Sequence, residues 1–506
     1  MKEGLKFVTK KMTLMGLILM VFTSVFGFGN IPTAYYLMGY GAIPWYIMSA
    51  LLFFIPYAFM MAEFGAAFKN EKGGIYSWMS KSVGPKFAFI GTFMWFASYV
   101  VFMAGTATKI WIPFSNAIFG ADQTQTWSFF GLSSTQTIGL LAVAWIAFVT
   151  FFASKGLEKI SKISSIGGIA IMCLNIALLL VSIVILFLNG GKLAEPITGI
   201  HSFTHSPNIS YGTPLAVLSF AVFAIFAYGG IEAAGGLVDQ TENAEKTFPK
   251  GIAISALVIS IGYSIGILLT GISAHWATDL SANTTNLGNI TYVLMNNLGF
   301  KLGTALGVDV SIAKEIGTWF ARITGLSMFL AYSGSFFTLI YSPLKTIIQG
   351  TPKTLWPKSW TKESANGMPV NAMWVQFAVV SIIVLIVSFG GDGASAFFNK
   401  ITLMTNVAMT LPMLFLAITF PKFKSNNNIE KPFVVYKSNK TGLIASCIVV
   451  VLVGFANIFT IIQPAINGDI SSTIYMIAGP IFFSIAALLI YNRGERNKKT
   501  EQNNAA

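Results

Sequence analysis

Long apolar runs, nearly free of charge, recur along this sequence at residues 12–37, 43–62, 87–108, 138–154, 163–188, 214–237, 251–274, 316–344, 370–389, 401–420, 441–463 and 472–491. Each can cross the roughly 30 Å hydrocarbon core of a bilayer, which takes about 20 helical residues. Barrel strands would be only ~10 residues long, with alternating polarity. The expected fold is therefore an all-α integral membrane protein with twelve transmembrane helices. Composition agrees. Of 506 residues, 54% are hydrophobic and 10% charged, and mean hydropathy is +0.69, whereas a soluble domain carries about 25% charged residues. The first run is too long for a cleaved signal peptide and is expected to stay as the first span. Cys173 and Cys447 fall inside spans, so neither a disulfide framework nor a metal site is expected.

Charge sets the expected orientation. Of the 32 Lys and Arg residues, the outer loops and the spans hold Lys109, Lys192, Lys301, Lys314, Arg322 and Lys400. The rest cluster on the other side, from Lys2, Lys6, Lys10 and Lys11 through Lys69, Lys345 and Lys424 to Arg493, Arg496, Lys498 and Lys499. Basic loops stay cytoplasmic, which puts both termini inside and makes the span count even. The net charge of +13 is thus a topology signal. Its scatter over separate loops argues against a nucleic-acid partner.

Two spans are interrupted. The first contains Phe26-Gly27-Phe28-Gly29-Asn30 with Pro32 beyond, and the sixth contains Tyr228-Gly229-Gly230-Ile231-Glu232 with Gly235-Gly236 one turn later. Gly and Pro at this density weaken a helix at mid-membrane. The interruptions lie five spans apart, so one helix runs outward and the other inward. Paired breaks of this kind point to a transporter site. The alternative is that the glycines only permit close helix packing. Unwinding frees backbone groups that cannot remain unpaired in a bilayer. Freed N–H groups suit a carboxylate and freed carbonyls an ammonium group, so an amino acid would satisfy both.

Three motifs resemble the amino acid–polyamine–organocation superfamily of transporters. They are the glycine-interrupted first helix; Glu63-Phe64-Gly65 followed by Lys72-Gly73-Gly74-Ile75-Tyr76-Ser77-Trp78 and Gly84-Pro85; and Phe226-Ala227-Tyr228-Gly229-Gly230-Ile231-Glu232 followed by Glu242-Asn243, Lys246 and Pro249-Lys250-Gly251-Ile252. The runs 24–28 and 320–328 are similar to a subgroup of its glutamate/GABA exchanger-like branch. The resemblance covers essentially all twelve spans. It implies a LeuT-like 5+5 inverted repeat with discontinuous helices 1 and 6 and two extra helices. Helices 1–5 would occupy about 12–188, helices 6–10 about 214–420 and helices 11–12 about 441–491, all within one domain over 1–495 and followed by a polar cytoplasmic tail, 496–506. It also implies a bacterial cytoplasmic membrane, where the acceptor-like Asn283-Thr284-Thr285 and Asn289-Ile290-Thr291 carry no meaning.

Position by position, the resemblance assigns Ser24, Val25, Gly27, Phe28 and Gly29 to the segment that holds a substrate carboxylate. Phe226, Ala227 and Gly229 match residues facing the amino group, Phe226 also matching a gate, and Glu232 matches a carboxylate just behind the site. Proton-coupled relatives often carry a lysine midway along helix five. Here the register suggests Ile171 or a neighbour, and no basic residue lies between Lys162 and Lys192.

The polar residues within spans leave alternatives open. Glu232, an intramembrane acid, is a functional candidate by default. It can carry a proton or fasten the unwound segment by accepting its N–H groups. Glu63 is expected to hydrate or cap a neighbouring helix, and Arg322 to pair with Glu315 or snorkel outward, with an outer gate as the alternative. His201, His205 and His275 fall on the outer side, either as solvated loop groups or as tuners of a pH response. Gly27 and Gly229 are expected to let a ligand approach the backbone, a positive φ being one means. No nucleophile motif, phosphate loop or metal spacing suggests an enzyme or a cofactor. No filter motif suggests a channel. The expected function is a secondary transporter of amino acids or related amines. Freed groups left unpaired without ligand, and the missing lysine on helix five, favour exchange over proton symport. An amino-acid sensor sharing the fold is the reading from another class.

Overall fold

The structure, a computed structural model, describes residues 11–281 and 285–505. Lys2, Lys6, Lys10, Asn283 and Thr284, singled out above, lie outside the described residues. The first half comprises α1 (Leu14–Val25), α2 (Asn30–Met38), α3 (Ala42–Ser49), α4 (Ile55–Ala67), α5 (Gly74–Val83), α6 (Pro85–Ala107), α7 (Trp111–Phe119), α8 (Ser134–Ala153) and α9 (Leu157–Leu188). After the short α10 (His201–Thr204) come α11 (Pro214–Phe226), α12 (Ala244–Ser273), α13 (Ile290–Ala305), α14 (Val310–Ile348) and α15 (Val370–Phe389). The chain closes with α16 (Gly391–Ser425), α17 (Asn439–Ile466) and α18 (Ile470–Ala505), so helix continues through the expected tail. Local chemistry explains several starts. Ser133 and Gln136 form a reciprocal capping box before α8, which satisfies two otherwise orphaned donors. Pro214 opens α11 after the Thr213 cap, where its missing N–H costs nothing.

Eleven helical stretches among the described residues, some of them crossing short breaks, are long and apolar enough to cross a membrane, and the first, Leu14–Ala67, covers 54 residues. That one stretch covers both of the first two expected spans. At 1.5 Å per residue it amounts to about 80 Å of helix, more than twice the hydrocarbon thickness. The helices also show a face built for lipid. On α9, Ile166, Ile169, Ile176, Leu180 and Val184 are exposed, while Ser164, Gly167, Gly168, Ile171 and Leu174 turn inward against α1 and α14. Apolar surface of that extent would be a liability in water. The chain is an all-helical, multi-pass membrane protein.

Long-range contacts tie distant segments of the chain together. Met12 N–H donates to Gln240 O at 2.9 Å, and Glu242 N–H donates to Met12 O at 2.8 Å. Glu63 does not hydrate a helix end. It is 0% exposed, it takes a 2.8 Å hydrogen bond from Lys424 Nζ, and it accepts the N–H groups of Val435 and Tyr436 at 2.8 Å each. Lys345, grouped above with the cytoplasmic loops, is instead buried in α14 and paired with Asp239. Arg322 makes no ion pair with Glu315 among the described residues; its guanidinium lies over the Trp319 ring, 5.1 Å from the centroid.

Candidate functional site

The two interrupted spans unwind where their glycines predicted, and the unwound segments meet. α1 ends at Val25, and Phe26 turns extended, with φ −82° and ψ 100°. Asn30 N–H reaches Gly27 O at 2.8 Å and Ile31 N–H reaches Phe28 O at 3.0 Å before α2 proceeds. In the sixth span α11 ends at Phe226, and Gly230 adopts φ +112°. A 3₁₀ helix then runs from Ile231 to Gln240, unusually long for that form. Donors from α14 support it. Ser342 Oγ donates to Ala233 O, and Lys345 Nζ donates to Gly236 O at 3.0 Å. A Cβ on Gly236 would lie 2.9 Å from Ser342 O, so glycine is what lets the two backbones approach.

The breaks approach each other closely at Gly230, where a Cβ would sit 2.5 Å from Ser24 O. The left-handed backbone considered for Gly27 and Gly229 is at Gly230 instead, neither of the other two having a positive φ. Gly229 N–H is engaged inside its own turn, donating to Phe226 O at 3.0 Å. Those two expected contact groups therefore satisfy each other.

One side chain that the sequence reading missed joins the breaks. Tyr263 of α12 is fully buried. Its hydroxyl accepts from Gly27 N–H at 2.9 Å and from Asn30 Nδ2 at 3.1 Å. The same oxygen lies 3.3 Å from Val25 O and 3.2 Å from Ala227 O, which it can reach as donor. Its ring is held by Phe26, with centroids 4.6 Å apart, and by Tyr46 and Tyr228 at 5.0 and 5.3 Å. Of the expected site residues, Val25, Gly27 and Ala227 thus converge on one hydroxyl. Ser24 lies alongside with its Oγ bonded to Met20 O at 2.8 Å. Phe28 is packed in the core, and Gly29 faces the Thr291 hydroxyl. A signal for Tyr263 was present: it sits mid-span, away from the interface where Tyr is enriched, so its hydroxyl needs an internal partner.

Glu232 lies just behind the second break and is 2% exposed. Its Oε2 accepts Gly230 N–H at 3.1 Å, which fastens the glycine that touches Ser24. Its Oε1 faces the buried hydroxyl of Tyr57 and interacts with it, although among the described residues neither atom makes a well-formed hydrogen bond. On the other side of the first break, Ser335 Oγ of α14 donates to Thr23 O, and Ser164 Oγ of α9 donates to Gly334 O at 2.9 Å. Ile171, where the register placed the missing lysine, is buried among apolar neighbours.

This geometry offers backbone donors and acceptors of both signs at one point, with an acid behind them. Such a point suits a small zwitterion. The amino acid permease family model matches residues 12–485. The chain is 62% identical over 483 residues to the inner membrane transporter YjeM of Salmonella typhimurium, covering 95% of this chain and 96% of that protein. It is 23% identical to the aspartate/glutamate permease AcaP of Lactococcus lactis subsp. cremoris, over 83% of this chain and 81% of that one. It is also 23% identical to a glutamate/gamma-aminobutyrate antiporter of Lactococcus lactis subsp. lactis, over 88% and 82% respectively.

Proposed function

The chain belongs to the amino acid permease family, and on that premise we propose that this multi-pass inner membrane transporter exchanges amino acids or closely related amines by alternating access. The observation that carries the proposal is the convergence of Val25 O, Gly27 N–H and Ala227 O, from two broken helices, at one buried point. An ammonium group can take the carbonyls and a carboxylate the N–H, with Ser24, Phe28, Gly29, Phe226 and Gly229 around them and Glu232 in support. The reading includes twelve crossings, with helices 1–5 and 6–10 as inverted halves. Both termini are cytoplasmic in this reading, supported by the lysine distribution.

Exchange is favoured over proton symport because α9 carries no basic residue between Lys162 and Lys192, and because a relative is named as an antiporter. Unpaired backbone groups no longer support exchange, since Tyr263 pairs them internally. A proton-coupled second reading draws on the loosely held Glu232 Oε1 beside the Tyr57 hydroxyl.

The test is uptake by purified protein in liposomes, across a panel of radiolabelled common amino acids and 4-aminobutyrate. Vesicles preloaded with substrate should take up label many-fold faster than empty ones, with little response to an imposed proton gradient. Concentrative uptake into empty vesicles, driven by that gradient alone, would replace exchange with symport. Binding without uptake in either mode would make the protein a sensor.

A further inference from the structure

The hydroxyl of Tyr263 makes, with one oxygen and one hydrogen, both kinds of contact that a zwitterion would make here. It accepts from Gly27 N–H at 2.9 Å, as a carboxylate would. It faces Val25 O at 3.3 Å and Ala227 O at 3.2 Å, as an ammonium group would. The same backbone groups cannot serve tyrosine and substrate together. We infer that Tyr263 is an internal stand-in for the substrate: its hydroxyl pairs the freed groups of both breaks in the empty carrier and gives them up to an amino acid. On that basis it sets how much net transport accompanies exchange. The inference rests on the amino-acid site proposed above and assigns a further residue to it.

Hydrogen-bond capacity favours the handover. A phenol has one hydrogen and two acceptor positions. Gly27 N–H and Asn30 Nδ2 fill the acceptor positions, and a single hydrogen must serve two carbonyls. An ammonium group brings three donors and can satisfy both carbonyls at once. The substrate therefore completes what the tyrosine completes only in part. Placement supports the same role. Tyr263 belongs to neither broken segment but to α12, continuous from Ala244 to Ser273, and its ring is stacked on Phe26 with centroids 4.6 Å apart. The hydroxyl is thus presented to both breaks from a third helix.

The kinetic consequence is specific to one leg of the cycle. Exchange passes only through loaded states, whereas net uptake requires the empty carrier to occlude and return. In a bilayer interior no water replaces a missing partner. Without the hydroxyl, Gly27 N–H and the two carbonyls would be buried unpaired in the empty state. The loaded state would lose only a competitor of the substrate.

Tyr263→Phe keeps the ring and removes the hydroxyl. Using whichever amino acid of the panel exchanges fastest, the ratio of exchange to net uptake should rise tenfold or more in this variant. Tenfold corresponds to about 1.4 kcal/mol on the empty leg. The half-saturating substrate concentration in exchange should fall. A merely structural tyrosine would slow both modes together and would not tighten binding. Asn30→Ala, which removes one donor that holds the hydroxyl, should shift the ratio the same way by a smaller factor, and it serves if Tyr263→Phe does not fold. An unchanged or lower ratio in a folded variant that still exchanges overturns the stand-in role alone. Wild-type vesicles that take up nothing from the panel in either mode overturn the transporter reading itself.

Discussion

Glu63 and Glu232 are both carboxylates sealed inside this helical protein, yet they are held in opposite ways. Glu63 uses both oxygens: Oε2 takes the Lys424 ammonium at 2.8 Å, and Oε1 takes two backbone N–H groups at 2.8 Å. Those partners lie on α16 and in the segment after it, so the carboxylate pins α4 to the last third of the chain. Glu232 uses one oxygen for one N–H, that of Gly230, and turns the other to the Tyr57 hydroxyl without a well-formed hydrogen bond. No Lys, Arg or His forms an ion pair with it among the described residues. A buried charge that is fully compensated acts as a fastener, whereas a half-compensated one keeps the freedom to change partner or proton. In the alternating-access reading proposed above, the first belongs to the scaffold and the second to the moving part.

The contrast breaks most visibly at Glu63. Glu63→Ala strands the Lys424 charge and two N–H groups in the interior. Breaking a buried pair costs about 3–5 kcal/mol, so the folded, monodisperse fraction in detergent should collapse. Glu63→Gln keeps an acceptor for the two N–H groups and should be milder. A normal melting temperature and yield for Glu63→Ala would remove the fastener role.

Next in size is the glycine that Glu232 holds. Gly230 combines φ +112° with a Cβ position 2.5 Å from Ser24 O. Gly230→Ala therefore carries about 1–3 kcal/mol of backbone strain and forces the two breaks apart, so uptake should be lost. Gly229→Ala meets Met413 and Phe226 O at only 3.1 and 3.2 Å, with no positive φ, and should keep much of its uptake. Equal behaviour of the two variants would mean that the contact between the breaks is not what matters.

Glu232→Gln comes third, and here stability and turnover should separate. The amide oxygen can still accept Gly230 N–H, so the loss in stability should stay within about 1 kcal/mol. The variant can no longer exchange a proton at that position. Transport should fall or lose its pH dependence while purified yield and melting temperature hold. Wild-type uptake at every pH in this variant would leave Glu232 a fastener like Glu63.

The division between readable and hidden parts follows physical range. The bilayer imposes length and polarity on every span, so the apolar runs and the glycine-rich breaks at 26–30 and 228–232 could be seen in local sequence. The partner of Glu63 could not, because Lys424 lies 361 residues away and nothing near either residue marks the pair. Lys345 looked like a loop residue because it stands at the end of an apolar run, and only the three-dimensional approach of Asp239 explains its burial. Local sequence also could not decide which of Gly229 and Gly230 takes the left-handed backbone. That choice depends on Ser24 O across the gap.

The smallest effect lies where water reaches the same chemistry. Lys69 and Glu245 form an ion pair with side chains 39% and 33% exposed, and the hydrogen bond that Lys69 donates to Glu245 raises the Lys69 pKa. A lysine whose pKa is raised on folding contributes stability below its unfolded value, near 10.4, and loses that stability only as pH climbs through the higher folded value. Between about pH 6 and 9 the pair is therefore constant and should add no pH dependence to stability. Exposed pairs gain little because water and salt screen them. Lys69→Ala should leave the melting temperature unchanged within error at low and high salt, in contrast to the loss expected for Glu63→Ala. A drop in melting temperature comparable to that of Glu63→Ala would show that burial is not what separates these acids, and the distinction between fastener and moving part would need another basis.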